Sequence, residues 1–239
     1  MRFFILALFA LFASSAVAQS LIGAWEFEDT ATSGKVLRGF VLFSEKYQVA
    51  TWYDPETGVV VKTNGGLWSI DGDRVTEVVA FDSENNERVG SKITFAIEWA
   101  NPQMMRIVGS DTWLTQIDKG ASDELSGAWF LSGSKSNGED DLQVRDNAFP
   151  GNTMKILSGS RFQWITYDAE SKVFKGTGGG IFTTIDGQYT ETVEFSSVDH
   201  SYADTSKQFQ YELINGDWHN TGKSSKGLPI YEIWTRRAE

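Results

Sequence analysis

The sequence predicts an all-β protein: two tandem antiparallel up-and-down β-barrels behind a signal peptide. Three observations predict this class. Apolar and polar residues alternate along short segments, turn signals containing glycine separate those segments, and the second half of the chain repeats the first. A period of two is that of strands with one buried face. No window of 11 or more residues carries a helical stripe of apolar residues.

The N-terminus has the organisation of a secretory signal peptide. A basic start at Arg2 precedes an apolar run over residues 3–13, and Ala16-Val17-Ala18 forms an A-x-A cleavage pattern. The run is shorter than the roughly 20 apolar residues that a helix needs to cross a bilayer. We therefore expect residues 1–18 to be removed after Ala18 and the mature protein to be secreted or periplasmic.

The composition excludes several classes of function. The chain has 21 Lys and Arg against 32 Asp and Glu, so loss of Arg2 takes the net charge from −11 to −12. Such an acidic surface repels nucleic acids and anionic headgroups. The chain has no cysteine for disulfides or thiolate ligands, and its two histidines leave little for a metal site. We expect no cofactor, no metal, no nucleic-acid partner and no transmembrane segment.

The two halves of the chain share features in the same order. The segment Leu21-Ile22-Gly23-Ala24-Trp25 returns as Leu125-Ser126-Gly127-Ala128-Trp129 at an offset of 104 residues. Later matches, such as Gly65-Gly66 with Gly179-Gly180, lie at an offset of 114. The difference places ten extra residues early in the second copy, within 132–150. Matched features in one order indicate a duplication.

The duplication predicts one barrel over residues 19–120 and a second over 121–239. Asp71-Gly72 and Asp186-Gly187 are hairpin signals, because glycine accepts the positive φ of a type I′ turn. Each copy then holds about seven or eight short strands. Closing such a sheet removes its exposed edges, and a barrel of about eight strands is filled by side chains or holds one small ligand.

In a secreted all-β repeat of this size, the Gly-x-Trp at the start of each copy resembles the calycin group, which includes lipocalins, avidins and bacterial lipocalin-like proteins. Gly23-Ala24-Trp25 and Gly127-Ala128-Trp129 carry the resemblance. It implies that each tryptophan closes the base of a barrel and that a basic side chain from the last strand packs over its ring. The candidates are Arg236 or Arg237 over Trp129, and Arg106 or Lys119 over Trp25.

A glutamate falls on the apolar face of one strand in both copies. Glu77 alternates in phase with Val75 and Val79, and Glu191 with Tyr189 and Val193. A buried ion costs several kcal/mol unless it is paired, and perturbed carboxylates are frequent at functional sites. We expect polar anchors for ligands inside the barrels. The alternative is a strand-end glutamate in water, or a structural pair with Arg161, Arg106 or Arg74.

Aromatic residues are the second candidate signal. The chain has nine tryptophans and seven tyrosines, and aromatic rings supply both apolar area and a stacking face to a cavity. The alternative is filling of the core. Tryptophans in or beside the predicted strands are Trp52, Trp68, Trp99, Trp113, Trp164 and Trp234. We assign ligand contact to Trp68, Trp99, Trp164, Tyr189 and Tyr211.

These patterns favour a non-enzymatic binding protein for a small, largely apolar ligand held in a barrel cavity, and they identify no catalytic residue. One alternative is a barrel enzyme that uses a buried glutamate as general acid or base, with Tyr189 or Arg161 converging on it. Another is a structural or adhesive module with filled barrels. An outer-membrane barrel is disfavoured, because the repeats indicate two closed units.

Overall fold

The computed structural model describes residues 20–120, 123–136, 142–144, 151–198, 205–224 and 227–236. They form two closed eight-stranded antiparallel barrels, which confirms the predicted all-β tandem-barrel class. The predicted signal peptide lies outside the described residues. Within the described ranges, no helix has the length and apolar character that crossing a bilayer requires.

Barrel 1 is a meander in which each strand pairs with the next and the eighth pairs with the first. A single turn of 3-10 helix, Asn86–Arg88, follows the fifth strand. The strands are β1 (Gly23–Thr30), β2 (Val36–Phe43), β3 (Tyr47–Tyr53), β4 (Val60–Asp71), β5 (Arg74–Asp82), β6 (Lys92–Asn101), β7 (Met104–Ile107) and β8 (Leu114–Asp118).

Barrel 2 repeats this meander and closes through pairing of its first and last strands. The strands are β9 (Gly127–Ser136), β10 (Gln143–Val144), β11 (Gly151–Leu157), β12 (Arg161–Asp168), β13 (Val173–Ile185), β14 (Gln188–Ser196), β15 (Ser206–Ile214), β16 (Asp217–Lys223) and β17 (Pro229–Thr235). The short β10 lies in the connection between β9 and β11, the first two strands of the barrel, and pairs with β9. The extra residues of the second copy therefore lie in the connection from β9 to β11, as the offsets predict.

Matched glycine pairs mark a β-bulge at the same place in both barrels. The register of β4 on β5 shifts between Gly65 and Gly66, and that of β13 on β14 shifts between Gly179 and Gly180. A Cβ atom on Gly66 would lie 1.9 Å from the carbonyl oxygen of Val78. Only glycine allows the two backbones to approach this closely.

We expect Gly66→Ala and Gly180→Ala each to lower the free energy of unfolding by about 1–3 kcal/mol, because the added methyl group forces a backbone shift. Urea denaturation of each variant measures the loss. Gly133→Ala is the control, because its Cβ would meet only side-chain carbons, at 3.3 Å and beyond. Equal losses in all three variants would contradict the backbone explanation.

Each barrel has its own interior core. The buried residues of barrel 1 centre on Trp25 and those of barrel 2 on Trp129, both almost fully buried. The barrel 1 core comprises Leu21, Trp25, Phe27, Val41, Phe43, Ala50, Val75, Ile97 and Met105. The barrel 2 core comprises Leu125, Trp129, Leu157, Phe162, Phe182, Tyr189, Val193, Phe209, Trp218 and Trp234.

Outward-facing residues of the two barrels form a further apolar core between them. The ring of Tyr53 lies 4.9 Å from that of Phe195, and the ring of Phe81 lies 5.2 Å from that of Tyr167. Tyr53 and Tyr167 are equivalent in the two copies, and so are Phe81 and Phe195. Each contact therefore repeats the other with the copies interchanged, and the barrels pack about an approximate two-fold axis. The alternation of residues within one copy does not predict this interface, because the outward faces of these strands are buried only by contact with the other barrel.

Buried polar contacts also join the barrels. Thr51 donates from Oγ1 to the Gln163 side-chain oxygen at 2.9 Å, and Gln163 in turn donates to Thr177 Oγ1 at 2.9 Å. Asp118 at the end of barrel 1 accepts hydrogen bonds from the hydroxyls of Ser158 and Ser160 at 2.8 and 2.6 Å. Such satisfied buried groups fix one relative position of the barrels.

Candidate functional site

Barrel 1 contains a cavity with a carboxylate in its wall. Glu77 lies in the middle of β5, and the alternation of this strand directs it inward beside Val75 and Val79. The residue is 5% exposed. The cavity has a volume of about 340 Å³, at the lower end of the range of about 300–1,000 Å³ that is typical of small-molecule sites.

The cavity wall is mainly apolar and is built by the inward faces of the strands. Arg88 from the β5–β6 connection and Ser110 and Thr112 from the β7–β8 connection line one end, because alternate connections of a meander share an end. Leu21 lines the other end, where its carbonyl accepts the Trp25 Nε1 hydrogen bond at 2.8 Å. The remaining lining residues are Phe27, Asp29, Val41, Phe43, Gln48, Ala50, Trp52, Asn64, Val75, Glu77, Ile93, Phe95, Ile97, Met105, Arg106, Ile107 and Leu114.

The two arginines of the wall are both engaged by other acids. Arg88 Nη1 lies 2.5 Å from Asp82, and Arg106 Nε lies 2.6 Å from Glu98. The Oε1 atom of Glu77 has no hydrogen-bond partner among the described residues. A buried acceptor without a partner is costly, so this oxygen atom is available to a ligand.

The environment of Glu77 favours its neutral form. Burial raises the pKa of this carboxyl above its ordinary value of 4.5, and the charge of Asp82 raises it further. The charge of Arg88 and a hydrogen bond from Gln48 lower the pKa, but the net direction is upward. Desolvation disfavours the carboxylate, which is the expected effect of an apolar cavity.

The equivalent glutamate of barrel 2 has a partner. Lys155 Nζ lies 2.7 Å from Glu191 Oε1, and both side chains are buried. The same ammonium group lies 5.3, 5.0 and 4.8 Å from the ring centroids of Tyr189, Trp218 and Trp234. Side chains therefore occupy in barrel 2 the place where barrel 1 has its cavity.

Two substitutions between the copies account for much of this difference. Val41 and Ala50 lie opposite each other on β2 and β3 and both line the cavity of barrel 1. The paired positions of barrel 2, at the offset of 114 residues, are Lys155 and Trp164. Larger side chains fill the interior of barrel 2, and one of them neutralises the glutamate.

The aromatic candidates divide between the barrels. Trp68 and Trp99 lie beside the cavity rather than in its wall: the Trp68 Nε1 donates to the Ser44 carbonyl at 3.0 Å, and Trp99 packs edge-on against Trp25. In barrel 2, Trp164 and Tyr189 pack in the interior core, and the Tyr211 hydroxyl donates to Glu124 at 2.9 Å. Trp52 is the tryptophan that lines the cavity.

The Gly-x-Trp segments occupy the same place in both barrels. Gly23 and Gly127 begin β1 and β9 with φ of +122° and +125°. Arg236 stacks over Trp129 with its Cζ atom 4.1 Å from the ring centroid. In barrel 1, Arg106 is one candidate for the equivalent position over Trp25, but its Cζ atom lies 4.5 Å from the ring centroid of Trp113 instead.

The sequence interpretation missed Lys155 and named the wrong basic partners. Arg161 pairs with Glu194 and Glu26 at the interface between the barrels, and Arg106 pairs with Glu98. The sequence did contain a signal for Lys155: at the offset of 114 residues it aligns with Val41, so a basic residue replaces an apolar one between the copies. Gln48 acts on Glu77 from β3 and Arg88 from the 3-10 helix after β5, and no sequence pattern pointed to either residue.

The site combines a mainly apolar wall with the Glu77 carboxyl, whose Oε1 atom has no hydrogen-bond partner among the described residues. Among the described residues there is no group of three or more histidine, cysteine, aspartate and glutamate side chains placed to hold a metal ion. The carboxyl can donate a hydrogen bond when protonated, or pair with a cation when ionised.

Comparison with known proteins adds no functional assignment. No protein-family model and no curated protein matches the chain. Among solved structures, the chain is similar to an uncharacterized protein from Bacteroides eggerthii DSM 20697, with 13% identity and a TM-score of 0.32. The match covers 46% of this chain and 98% of that one. A similarity of this size carries no argument about function, and membership of the lipocalin group stays a prediction.

Proposed function

We propose that the protein is a non-enzymatic binding protein, secreted or periplasmic, that holds a small and largely apolar ligand in the cavity of barrel 1. The observation that carries the proposal is the unpartnered oxygen atom of Glu77 inside an apolar cavity. The carboxyl orients the polar end of the ligand, and the aromatic and aliphatic wall contacts its body.

Barrel 2 supports the proposal as an internal comparison. Its equivalent glutamate is neutralised by Lys155 within an aromatic core, which is the arrangement expected of a structural unit. Barrel 1 has the glutamate without that partner, and buried carboxyl groups with a perturbed pKa in a cavity are frequent at functional sites. We therefore assign binding to barrel 1 and support of the fold to barrel 2.

Filling the cavity tests the proposal. We expect the neutral dye N-phenyl-1-naphthylamine to gain fluorescence on binding the wild-type protein. Ala50→Trp, which places in barrel 1 the residue found at the paired position of barrel 2, is expected to weaken dye binding by at least about ten-fold, since it removes cavity volume. A fluorescence titration of both proteins measures the change.

Val61→Trp is the matched control, because Val61 is exposed on β4 and does not line the cavity. We expect it to bind the dye as the wild type does. Unchanged dye binding in a folded Ala50→Trp variant would exclude the cavity as the dye site, and a wild type that binds neither the dye nor 1-octanol would contradict the proposal.

A further inference from the structure

Barrel 2 carries an alkylammonium group on one of its own strands. The Lys155 side chain presents an ammonium on a four-carbon stem, and its Nζ lies 2.7 Å from Glu191. The ammonium and stem are buried, with the side chain 6% exposed. The interior of this fold can therefore hold a primary ammonium against the glutamate at this position.

We propose that the cavity of barrel 1 binds a primary ammonium ion with an apolar body, and that the ammonium pairs with Glu77 as Lys155 pairs with Glu191. The inference rests on the proposed function and names its ligand class. Val41 stands where barrel 2 has Lys155, and it lines the cavity together with Glu77. A ligand amine would supply the group that the shorter valine lacks.

The charges around the cavity favour a cation. Each arginine of the wall already has an acidic partner, Asp82 for Arg88 and Glu98 for Arg106. Asp29, the second acid of the wall, accepts the Trp52 Nε1 hydrogen bond at 3.0 Å. Two acids are therefore left without a basic partner in the described wall, so an anionic ligand would add repulsion and a cationic ligand relieves it.

The residues around the ammonium position favour a primary amine over a quaternary one. Quaternary ammonium ions bind through the faces of aromatic rings, whereas a primary ammonium donates hydrogen bonds to a carboxylate. The ring positions of barrel 2 are occupied by aliphatic side chains in barrel 1. The paired positions are Val75 for Tyr189, Met105 for Trp218 and Leu114 for Trp234.

The titration of Glu77 is consistent with this ligand. Burial raises the pKa of the carboxyl in the empty cavity. A bound ammonium would favour the ionised form and lower that pKa again. Binding of the amine therefore releases protons in the pH range between the pKa values of the empty and occupied sites. Calorimetry in buffers of different ionisation enthalpy detects this release.

The experiment compares three ligands that have an eight-carbon chain and different polar head groups: octylammonium chloride, 1-octanol and sodium octanoate. Isothermal titration calorimetry at neutral pH uses the full mature chain. We expect octylammonium to bind at least about ten-fold more tightly than octanol, as a buried charge-assisted hydrogen bond predicts. Octanoate is expected to bind more weakly than octanol.

Variants assign the difference to one carboxyl. Glu77→Gln keeps the shape of the side chain and is expected to weaken octylammonium binding by at least about ten-fold while leaving octanol binding within about three-fold. Glu84→Gln, which removes one exposed charge from a loop, is the control and leaves both affinities unchanged. Val41→Lys supplies the ammonium within the chain and is expected to abolish octylammonium binding.

The outcomes separate the two proposals. Octanol binding as tightly as octylammonium, or an octylammonium affinity that Glu77→Gln does not change, overturns the ammonium inference and leaves the cavity proposal in place. Octanol binding also reports that the Glu77→Gln variant is folded. If none of the three ligands and no dye binds the wild type, both proposals fail.

Discussion

Replacing Glu191 by Gln is expected to lower the free energy of unfolding by about 3–5 kcal/mol, because it leaves Lys155 buried without a counter-ion. The two side chains are 7% and 6% exposed and lie 2.7 Å apart. Urea denaturation followed by circular dichroism measures the loss. Glu212→Gln, at an exposed position of β15, is the matched control and is expected to stay within about 0.5 kcal/mol of wild type.

A second substitution identifies the cause of this loss. Buried ion pairs are often replaceable by apolar residues of similar volume. We therefore expect Lys155→Met to restore most of the stability of the Glu191→Gln protein. A double variant as unstable as Glu191→Gln alone would show that the unpaired ammonium is not the source of the loss.

The equivalent substitution in barrel 1 is expected to act in the opposite direction. The pKa of Glu77 is raised in the folded protein, mainly by burial. The folded state therefore holds its proton more strongly than the unfolded chain does. The associated stability is fully present below the ordinary value of 4.5 and is lost as the pH rises through the folded pKa.

Glu77→Gln removes this loss, so its free energy of unfolding is expected to exceed that of wild type by an amount that grows across that pH window. The groups that act on the pKa of Glu77 are Gln48, Asp82 and Arg88, and the other charged residues of the wall are Asp29 and Arg106. They are present in both proteins, so the difference between the two stability curves reports Glu77. A difference that does not change with pH would contradict the raised pKa.

The interface between the barrels is expected to couple their unfolding. Phe81→Ala and Phe195→Ala should each cost about 3–5 kcal/mol, since each removes a buried ring from the core between the barrels. Both residues are at most 2% exposed, and each contacts a tyrosine of the other copy. Hydrogen exchange with mass spectrometry across a urea series follows peptides from each barrel separately.

In the wild type we expect peptides of both barrels to lose protection at the same urea concentration. In the double variant, Phe81→Ala with Phe195→Ala, the two sets should separate. Phe81→Leu is the milder control, because leucine refills part of the space. Separate transitions in the wild type would show that the interface does not hold the barrels together as one cooperative unit.

Much of the fold could be predicted from local patterns in the sequence. Alternation along β5 and β14 directed Glu77 and Glu191 inward, because successive side chains of a strand point to opposite faces. The turn glycines and the repeated offsets indicated closed units in tandem. These properties depend on residues near one another in the chain, which is why they can be predicted without coordinates.

The partners of the glutamates depend on contacts across the barrels. Lys155 reaches Glu191 from a strand 36 residues away, and Arg161, a predicted partner, instead lies at the interface with Glu194. The first pair depends on which strands face each other across the barrel interior, and the second depends on which faces meet the other barrel. Charge and spacing in the sequence do not distinguish them.

By itself, the sequence determined the strand period, the duplication and the inward position of one glutamate per copy. Only the tertiary structure decided that Glu191 is neutralised inside a filled barrel while Glu77 borders a cavity with one oxygen atom unpartnered. The physical reason is that burial and pairing energies depend on distance in space, and a valine or a lysine on a strand across the barrel interior changes them.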